Sequence, residues 1–318
     1  MPPAAHGRPI SQTLRCFDEV ARRGSIRKAA ESLHLTAAAV HQQVLNLEAQ
    51  VGTPLFDRMP RGVRLTTAGE IMLAAVRRGQ RDYEHALAQV EDLRALRRGH
   101  IQLALTPSSA EQLLPAAIAA AMRSHPGVTY SVRTGSGESI LRWVAQGEAD
   151  IGYCLRRRPP AGVEEIRAFP QPLGVVAPPG HALAVRAAPP RLRDCLEYPL
   201  VMMTPGLELR EMADQVDPRV QRPGRPLVET QSVGLACRLV AAGAGIALLI
   251  PENVAEFVAD GRVAWRALAD AEAHSHTCLY QRSGQTTAVA MGMFLQLLDA
   301  EIAAVQQRFE RALAPAAA

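Results

Sequence analysis

Between Leu14 and Val51 the apolar residues are spaced for three short helices divided by strong stop signals, and no other stretch constrains the fold as tightly. Leu14, Phe17 and Ala21 recur at helical intervals, and Gly24 ends that segment. Ser25 is a good N-cap for a second helix through Leu33 carrying Ala29 and Ala30. His34-Leu35 makes a tight turn, and Thr36 caps a third helix with Val40, Val44, Leu47 and Val51 as its expected buried stripe. The other face of that helix carries Ala37, Ala38, His41, Gln42 and Asn46. Two helices joined by so short a turn place the second in a DNA major groove. Ala37 and Ala38 are small enough for close approach to base edges, Gln42 suits a bidentate pair with adenine, and His41 suits a phosphate or a base. Ser25, Arg27 and Thr36 complete the expected DNA-facing set on the helices.

The segment from Pro54 to Thr66 sets two short apolar pieces about a Pro60-Arg61-Gly62 turn, which reads as a hairpin wing. Arg58, Arg61 and Arg64 are placed there for phosphate or minor-groove contact, although any one arginine taken alone is equally a solvated charge. Charge is uneven in the same sense. Residues 1–98 hold 15 Arg+Lys against 10 Asp+Glu, a net of +5, while the rest of the chain nets −1. A basic head on a near-neutral body points to a polyanion such as double-stranded DNA.

The chain has 318 residues, 48% hydrophobic and 21% charged, enough for two or three domains with real cores and unlike a collagen or a disordered chain. Its longest uncharged apolar stretch, Leu239–Ile250, falls short of the ~20 residues of a membrane span, so no membrane partner is expected. The first eight residues contain no apolar export segment, and a cytoplasmic location is expected. The five cysteines are far apart and include no Cys-x-x-Cys, which argues against a disulfide framework or a zinc ribbon.

Residues 67–98 read as one long helix capped by Thr67, with Ile71, Ala75, Leu87, Val90, Leu93 and Leu96 as a narrow apolar stripe, Arg97 and Arg98 in the last turn and Gly99 as the stop. Such a stripe pairs with a second copy of the chain or packs on its own. Beyond it, short apolar runs alternate with helical segments. The runs are Ile101–Leu105, Val128–Val132, Asp150–Leu155, Leu173–Ala177, Leu200–Met203, Ile246–Ile250 and Thr277–Tyr280. The helical segments include Glu111–Met122, Ser139–Gln146 and Val233–Ala242. That alternation predicts an α/β body of parallel sheets. Pro170-Gln171-Pro172 and Arg266-Ala267-Leu268 look like joints between two lobes.

The residues Phe17-x-x-Val20-Ala21-x-x-Gly24-Ser25-x-x-x-Ala29-Ala30-x-x-Leu33-His34-Leu35-Thr36, with Gln43-Val44-x-x-Leu47-Glu48, Gly52-x-x-Leu55-Phe56-Asp57-Arg58 and Leu65-Thr66-x-Ala68-Gly69, resemble the LysR-type transcriptional regulators. The recognition helix departs from the common pattern: Ala38, His41 and Gln42 stand where the family often has Pro, Ser and Arg. Gly147-Glu148-Ala149-Asp150-Ile151-Gly152 and Leu239 to Pro251 are similar to the family's effector domain. The resemblance implies a winged helix-turn-helix over residues 1–66, a dimerising linker helix over 67–98 and a periplasmic-binding-protein-like effector domain over 99–318. One lobe of that domain is expected at about 99–170 with 268–300, the other at about 171–267. It further implies a dimer or homotetramer, a small-molecule effector and, if the regulator activates, RNA polymerase as a partner.

In such a body the ligand lies at strand ends and helix N-termini. That selects Thr106, Ser108 and Ser109 after the first strand, Ser136 and Gly137 before the next helix, Thr204-Pro205-Gly206, and Ser232-Val233. Hydroxyls and free amides there suit an anionic organic effector, although ordinary capping residues occupy the same positions. The family often has Thr or Ser where this chain has Gly137. Tyr153 ends a strand and reaches either the cleft or the core. No cofactor is expected. Gly243-Ala244-Gly245 precedes a strand and so is no dinucleotide loop. His274, His276 and Cys278 are a metal set or simply a half-exposed strand, and Cys195 and Cys237 are redox sensors or inert thiols. The competing function is an enzyme on the two-lobed body with the head as accessory; no Gly-x-Ser-x-Gly, phosphate loop, His-Glu-x-x-His or acid pair supports it.

Overall fold

Ser11, Ser25 and Thr36 each accept a backbone N–H with their hydroxyl and so start α1 (Gln12–Arg23), α2 (Ile26–Leu33) and α3 (Ala37–Val51). Each such cap contributes on the order of 1 kcal/mol. Gly24 and Gly52 stop α1 and α3 in the left-handed conformation, and His34 does the same for α2 at φ 55°. The computed structural model describes residues 11–59, 62–93, 99–221, 226–284 and 289–313. The chain divides into two units, one holding residues up to Leu96 with Gln146–Glu148 and the other the remainder.

In the first unit, Cys16, Val20, Ala29, Ala30, Val40 and Val44 form the centre of the three-helix core. The stripe of α3 ends at Leu47; Val51, expected inside, is 41% exposed because Gly52 turns the chain away. The wing is β1 (Phe56–Met59) and β2 (Gly62–Leu65), antiparallel, with Met59 opposite Gly62. Two features fix it to the helices. Leu55 N and Phe56 N both donate to Glu48 Oε1 at 2.7 and 3.2 Å, and Val63 N donates to Gly24 O at 2.9 Å. A Cβ on Gly62 would stand 2.3 Å from Gly24 O, so the two strips of backbone meet only because the residue is glycine.

The long helix α4 spans Thr67–Leu93, and its cap is Thr66, not Thr67: Gly69 N donates to Thr66 Oγ1 at 3.0 Å. Val76 is buried with Phe17, Leu47 and Leu55, and Ala68, Met72 and Leu73 pack against them. Ile71 points elsewhere and is 69% exposed. Leu96, Arg97 and Arg98 lie outside the described residues.

The second unit holds two five-stranded sheets. Its elements in order are β3 (Gly99–Leu105), α5 (Pro107–Ser124), β4 (Val128–Thr134), α6 (Gly137–Ala145), β5 (Ile151–Leu155), β6 (Val163–Pro172), β7 (Gly174–Ala177), α7 (Ala182–Val185), α8 (Leu192–Cys195), β8 (Leu200–Met203), α9 (Glu208–Val216), β9 (Val228–Thr230), α10 (Val233–Ala241), β10 (Ile246–Leu249), α11 (Pro251–Ala259), β11 (Ala264–Ala267), β12 (His274–Arg282) and α12 (Val289–Leu313). The first sheet has the order β4-β3-β5-β12-β6, the second β11-β7-β10-β8-β9. The expectation of parallel sheets is corrected. β3 is parallel to β4 and β5, and β8 to β9 and β10, but β12 runs antiparallel to β5 and β6, and β7 antiparallel to β10 and β11. The chain passes between lobes twice, β6 into β7 and β11 back to β12, and the strands on which it enters, β7 and β12, run against the rest of their sheets. The expected joints at 170–172 and 266–268 are therefore mostly strand.

α12 is the one described helix long and apolar enough to cross a membrane by length and composition. Here its Met291, Phe294, Leu295, Leu298, Ile302, Val305 and Phe309 are buried in the core. Phe294 packs on Tyr130 of β4 at 5.3 Å between ring centroids, and Phe309 meets the Trp265 ring of β11 edge-on at 5.1 Å. One helix thus joins the two sheets.

Candidate functional sites

On the head, α3 presents Ala37, Ala38, Gln42 and Asn46 to solvent, with His41 half-buried. Gln42 Nε2 donates to Asn46 Oδ1 at 2.9 Å, an i,i+4 pair that holds both amides on one face. Gln43, by contrast, turns inward and accepts from Thr13. Ser25 and Thr36 spend their hydroxyls as caps, and Arg27 is exposed beside Glu31. Arg64 is exposed on β2, Arg58 lies on β1, and Arg61 falls outside the described residues. On α1 Glu19 is nearly buried, and the Arg22 and Arg23 guanidiniums hold its carboxyl down to about 2 against the opposing effect of burial.

In the body, a cleft of about 200 Å³ opens between the two sheets. The first lobe lines it with Thr106, Ser108 and Ser109 at the start of α5, and with Ser136 before α6. Val233 at the start of α10 comes from the second lobe. The structure brings these five expected residues together. Their hydroxyls also hold structure: Thr106 Oγ1 donates to Ser109 Oγ at 2.8 Å, and Ser139 N donates to Ser136 Oγ at 3.4 Å.

The remaining expected residues are placed differently. Thr204, Pro205 and Gly206 do not line the cleft; the chain turns at Gly206, φ 86°, and delivers Leu207, Glu208 and Leu209 instead. Ser232 caps α10 through Leu235 N at 3.2 Å, leaving Gln231 as the lining residue. Tyr153 is core: it is fully buried, and its Oη lies 2.6 Å from both Glu252 Oε2 and Thr277 Oγ1. Gly137 is buried, and its amide donates to Glu208 Oε1 at 2.5 Å.

Sequence reasoning missed the second lobe's acidic and amide groups. Glu208, in the first turn of α9, also accepts from Arg157 Nη1 at 3.3 Å, which in turn reaches Glu211 at 3.1 Å. α9 itself is pinned by the buried Arg210, which bonds Asp214, Glu229 and the Met203 carbonyl. Glu252 and Asn253 open α11 after Pro251, the same strand-to-helix position that picks out the other loops. Glu252 is buried without a cation; burial pushes its carboxyl up, and the hydrogen bonds of Ser109 and Tyr153 only partly offset this. Asn253 Nδ2 donates to Ser108 Oγ at 3.0 Å, while its buried Oδ1 has no partner. Among the described residues no Lys, Arg or His lines the cleft, so the expected anionic effector finds no cationic side chain there.

Among the described residues no group of three or more His, Cys, Asp and Glu is placed to hold a metal. Cys278 lies directly opposite Cys154 across the β5–β12 ladder, a proximity invisible in sequence. Burial pushes both thiols up, Cys278 to about 11, and Cys195 and Cys237 are pushed up to about 12 by the same cause. At all four positions burial disfavours the thiolate, the form that reacts.

Comparison with known proteins gives the same division. The bacterial regulatory helix-turn-helix family of the lysR type matches residues 11–70, and the LysR substrate binding domain family matches residues 94–303. The transcriptional activator protein LysR of Escherichia coli is 26% identical over 80% of this chain and 81% of its own. The regulator CbbR of Xanthobacter flavus is 31% identical over 79% of this chain and 75% of its own. A full-length OxyR variant of Pseudomonas aeruginosa has the same fold at a TM-score of 0.68, with 20% identity over 91% of this chain and 93% of that one. Full-length CbnR in complex with its target DNA superposes at 0.59, with 19% identity over 91% and 98%. Matched along both its head and its body, the chain belongs to the LysR family of transcriptional regulators.

Proposed function

We propose that the interlobe cleft is the effector site of this regulator, and that its occupancy controls transcription from DNA held by α3 and the wing. The observation that carries the reading is the convergence of Thr106–Ser109, Ser136, Gln231, Val233 and Asn253, from both lobes, on one cavity. A cavity of about 150 Å³ holds a benzene-sized molecule, so this one suits a small organic metabolite of about one substituted ring. Ser25, Arg27, Thr36, Ala37, Ala38, His41, Gln42, Asn46, Arg58, Arg61 and Arg64 form the DNA-facing set, and the CbnR relative was solved with its target DNA. Self-association through α4 is supported by the 69% exposure of Ile71 on a helix whose Val76 is buried and whose Met72 and Leu73 pack against the head. A regulator of this kind acts in the compartment that holds the DNA, the cytoplasm.

The test is a footprint on the DNA upstream of the regulator's own gene, with a metabolite screen read by thermal shift. Ligand at 100 times its Kd stabilises by about 2.7 kcal/mol. Ser108→Ala with Ser136→Ala is expected to abolish the ligand's shift and leave the footprint intact. An unchanged shift places the effector elsewhere.

A further inference from the structure

The cleft's charge and hydrogen-bonding capacity identify the kind of molecule that fits it, given the reading of the cleft as the effector site. In the usual anion site of a protein, backbone amides at a helix N-terminus receive the negative group. Here the amide at the start of α6 already has a carboxylate: Gly137 N donates to Glu208 Oε1 at 2.5 Å. The fit depends on glycine, since a Cβ at 137 would stand 2.3 Å from that oxygen. Glu208 also takes its Arg157 bond on Oε1, so Oε2 has no hydrogen bond among the described residues. Arg157 is shared with Glu211, and the three groups together carry one negative charge.

The second observation is independent. Asn253, 5% exposed and lining the cleft, has a buried Oδ1 without a partner. An unmet buried acceptor destabilises the empty cleft, and a donor from a ligand recovers that loss. The cleft therefore offers two acceptors, one charged and one neutral, on walls otherwise formed by Leu155, Met203, Leu207 and Ile250.

We propose that the cleft selects a small organic cation, an apolar body of about one ring bearing a protonated amine or amidine, whose N–H groups are donated to Glu208 and to Asn253 Oδ1. Glu208 is then the residue that sets ligand charge, with its Oε1 closing the lobes through Gly137 and its Oε2 receiving the ligand. An anion entering the same space meets a fixed carboxylate whose one basic partner, Arg157, is already shared with Glu211, and no basic side chain lines the cleft among the described residues.

The test titrates full-length protein with three probes of one shape, benzylamine, benzyl alcohol and benzoate, by ligand-observed NMR. Benzylamine is expected to bind about tenfold or more tightly than benzoate, the change that one charge-assisted hydrogen bond confers. Glu208→Gln keeps an acceptor for Gly137 and is expected to remove that preference, bringing benzylamine and benzoate to equal binding. Equal binding of amine and benzoate, tighter benzoate, or an amine preference that survives Glu208→Gln overturns the charge assignment alone and leaves the cleft as a ligand site. Failure of all three probes to bind overturns this assignment together with the reading on which it rests. The wild-type comparison needs no variant, so a misfolded Glu208→Gln protein does not rescue the proposal.

Discussion

Tyr153 of the first lobe and Glu252 of the second meet at 2.6 Å inside the body, and Ser109 closes on the other oxygen of the same carboxyl at 2.5 Å. With Thr106 and Thr277 they form a buried polar chain that crosses from lobe to lobe without a cation. Burial raises the carboxyl of Glu252 above its usual 4.5 and so favours the protonated acid, and the hydrogen bonds of Ser109 and Tyr153 only partly offset this.

The sign of the resulting pH dependence is fixed. The unfolded carboxyl ionises near 4.5 and the folded one higher, so the contribution is complete below pH 4.5 and is lost as pH rises through the folded value. Glu252→Gln lacks this loss and is expected to gain on wild type by up to about 1.4 kcal/mol per pH unit across the window. Urea unfolding of both proteins at pH 5 and pH 8 checks it; a gap that stays constant with pH defeats the prediction.

Gly137→Ala pushes the new Cβ into Glu208 Oε1 and also to 2.9 Å from Arg157 Cδ. Loss of this charge-assisted bond is expected to cost about 1.5–3 kcal/mol of body stability. In a Glu208→Ala background the same change is expected to cost little, so a double-mutant cycle reads the coupling directly. Additive losses show that the two groups do not interact.

Cys154 and Cys278 face each other yet are protonated and buried. Neither is expected to react with iodoacetamide at pH 7 in the native protein within the time that the urea-unfolded chain is fully modified. Mass spectrometry that finds either residue alkylated at a comparable rate in the folded state contradicts this.

On the head, Gln42→Ala is expected to cost about 1–3 kcal/mol on the specific site and to relax preference at one base position in each half-site. Arg64→Ala, on the exposed face of β2, is expected to weaken all sequences alike and reduce the salt slope by about 0.9. Competition titrations at several salt concentrations separate the two; equal loss on specific and random DNA for Gln42→Ala moves that residue to the phosphates.

The head was legible because its signals are local: Ser25 and Thr36 cap, Gly24 stops, and each acts within four residues. The body was legible at its interior strands and at the edge strand β4, where Val128, Tyr130 and Val132 alternate with polar residues. The three strands that sequence reasoning passed over, β6, β9 and β11, all lie at sheet edges. An edge strand tolerates Pro170 and Pro172, as β6 does, and does not require an unbroken apolar run. Within the cleft, hydroxyls at helix starts were legible from their loops. Glu208 and Asn253 were not, because what distinguishes them is a partner, or the lack of one, across the lobe boundary. Tyr153 illustrates the same limit: β5 is buried on both faces, so alternation along the strand carries no information about which side meets the cleft.

The two aromatic anchors of α12 bear on how the body moves. Phe294 and Phe309 are fifteen residues apart, about 22 Å along a rigid helix, and each is seated against a different sheet. A jaw-like opening that carried Tyr130 away from Trp265 must unseat one of these rings. Turning the helix about its own axis likewise swings both rings off their partners. The helix is therefore a brace: with a ring seated at either end, it ties the spacing of the two sheets to its own length.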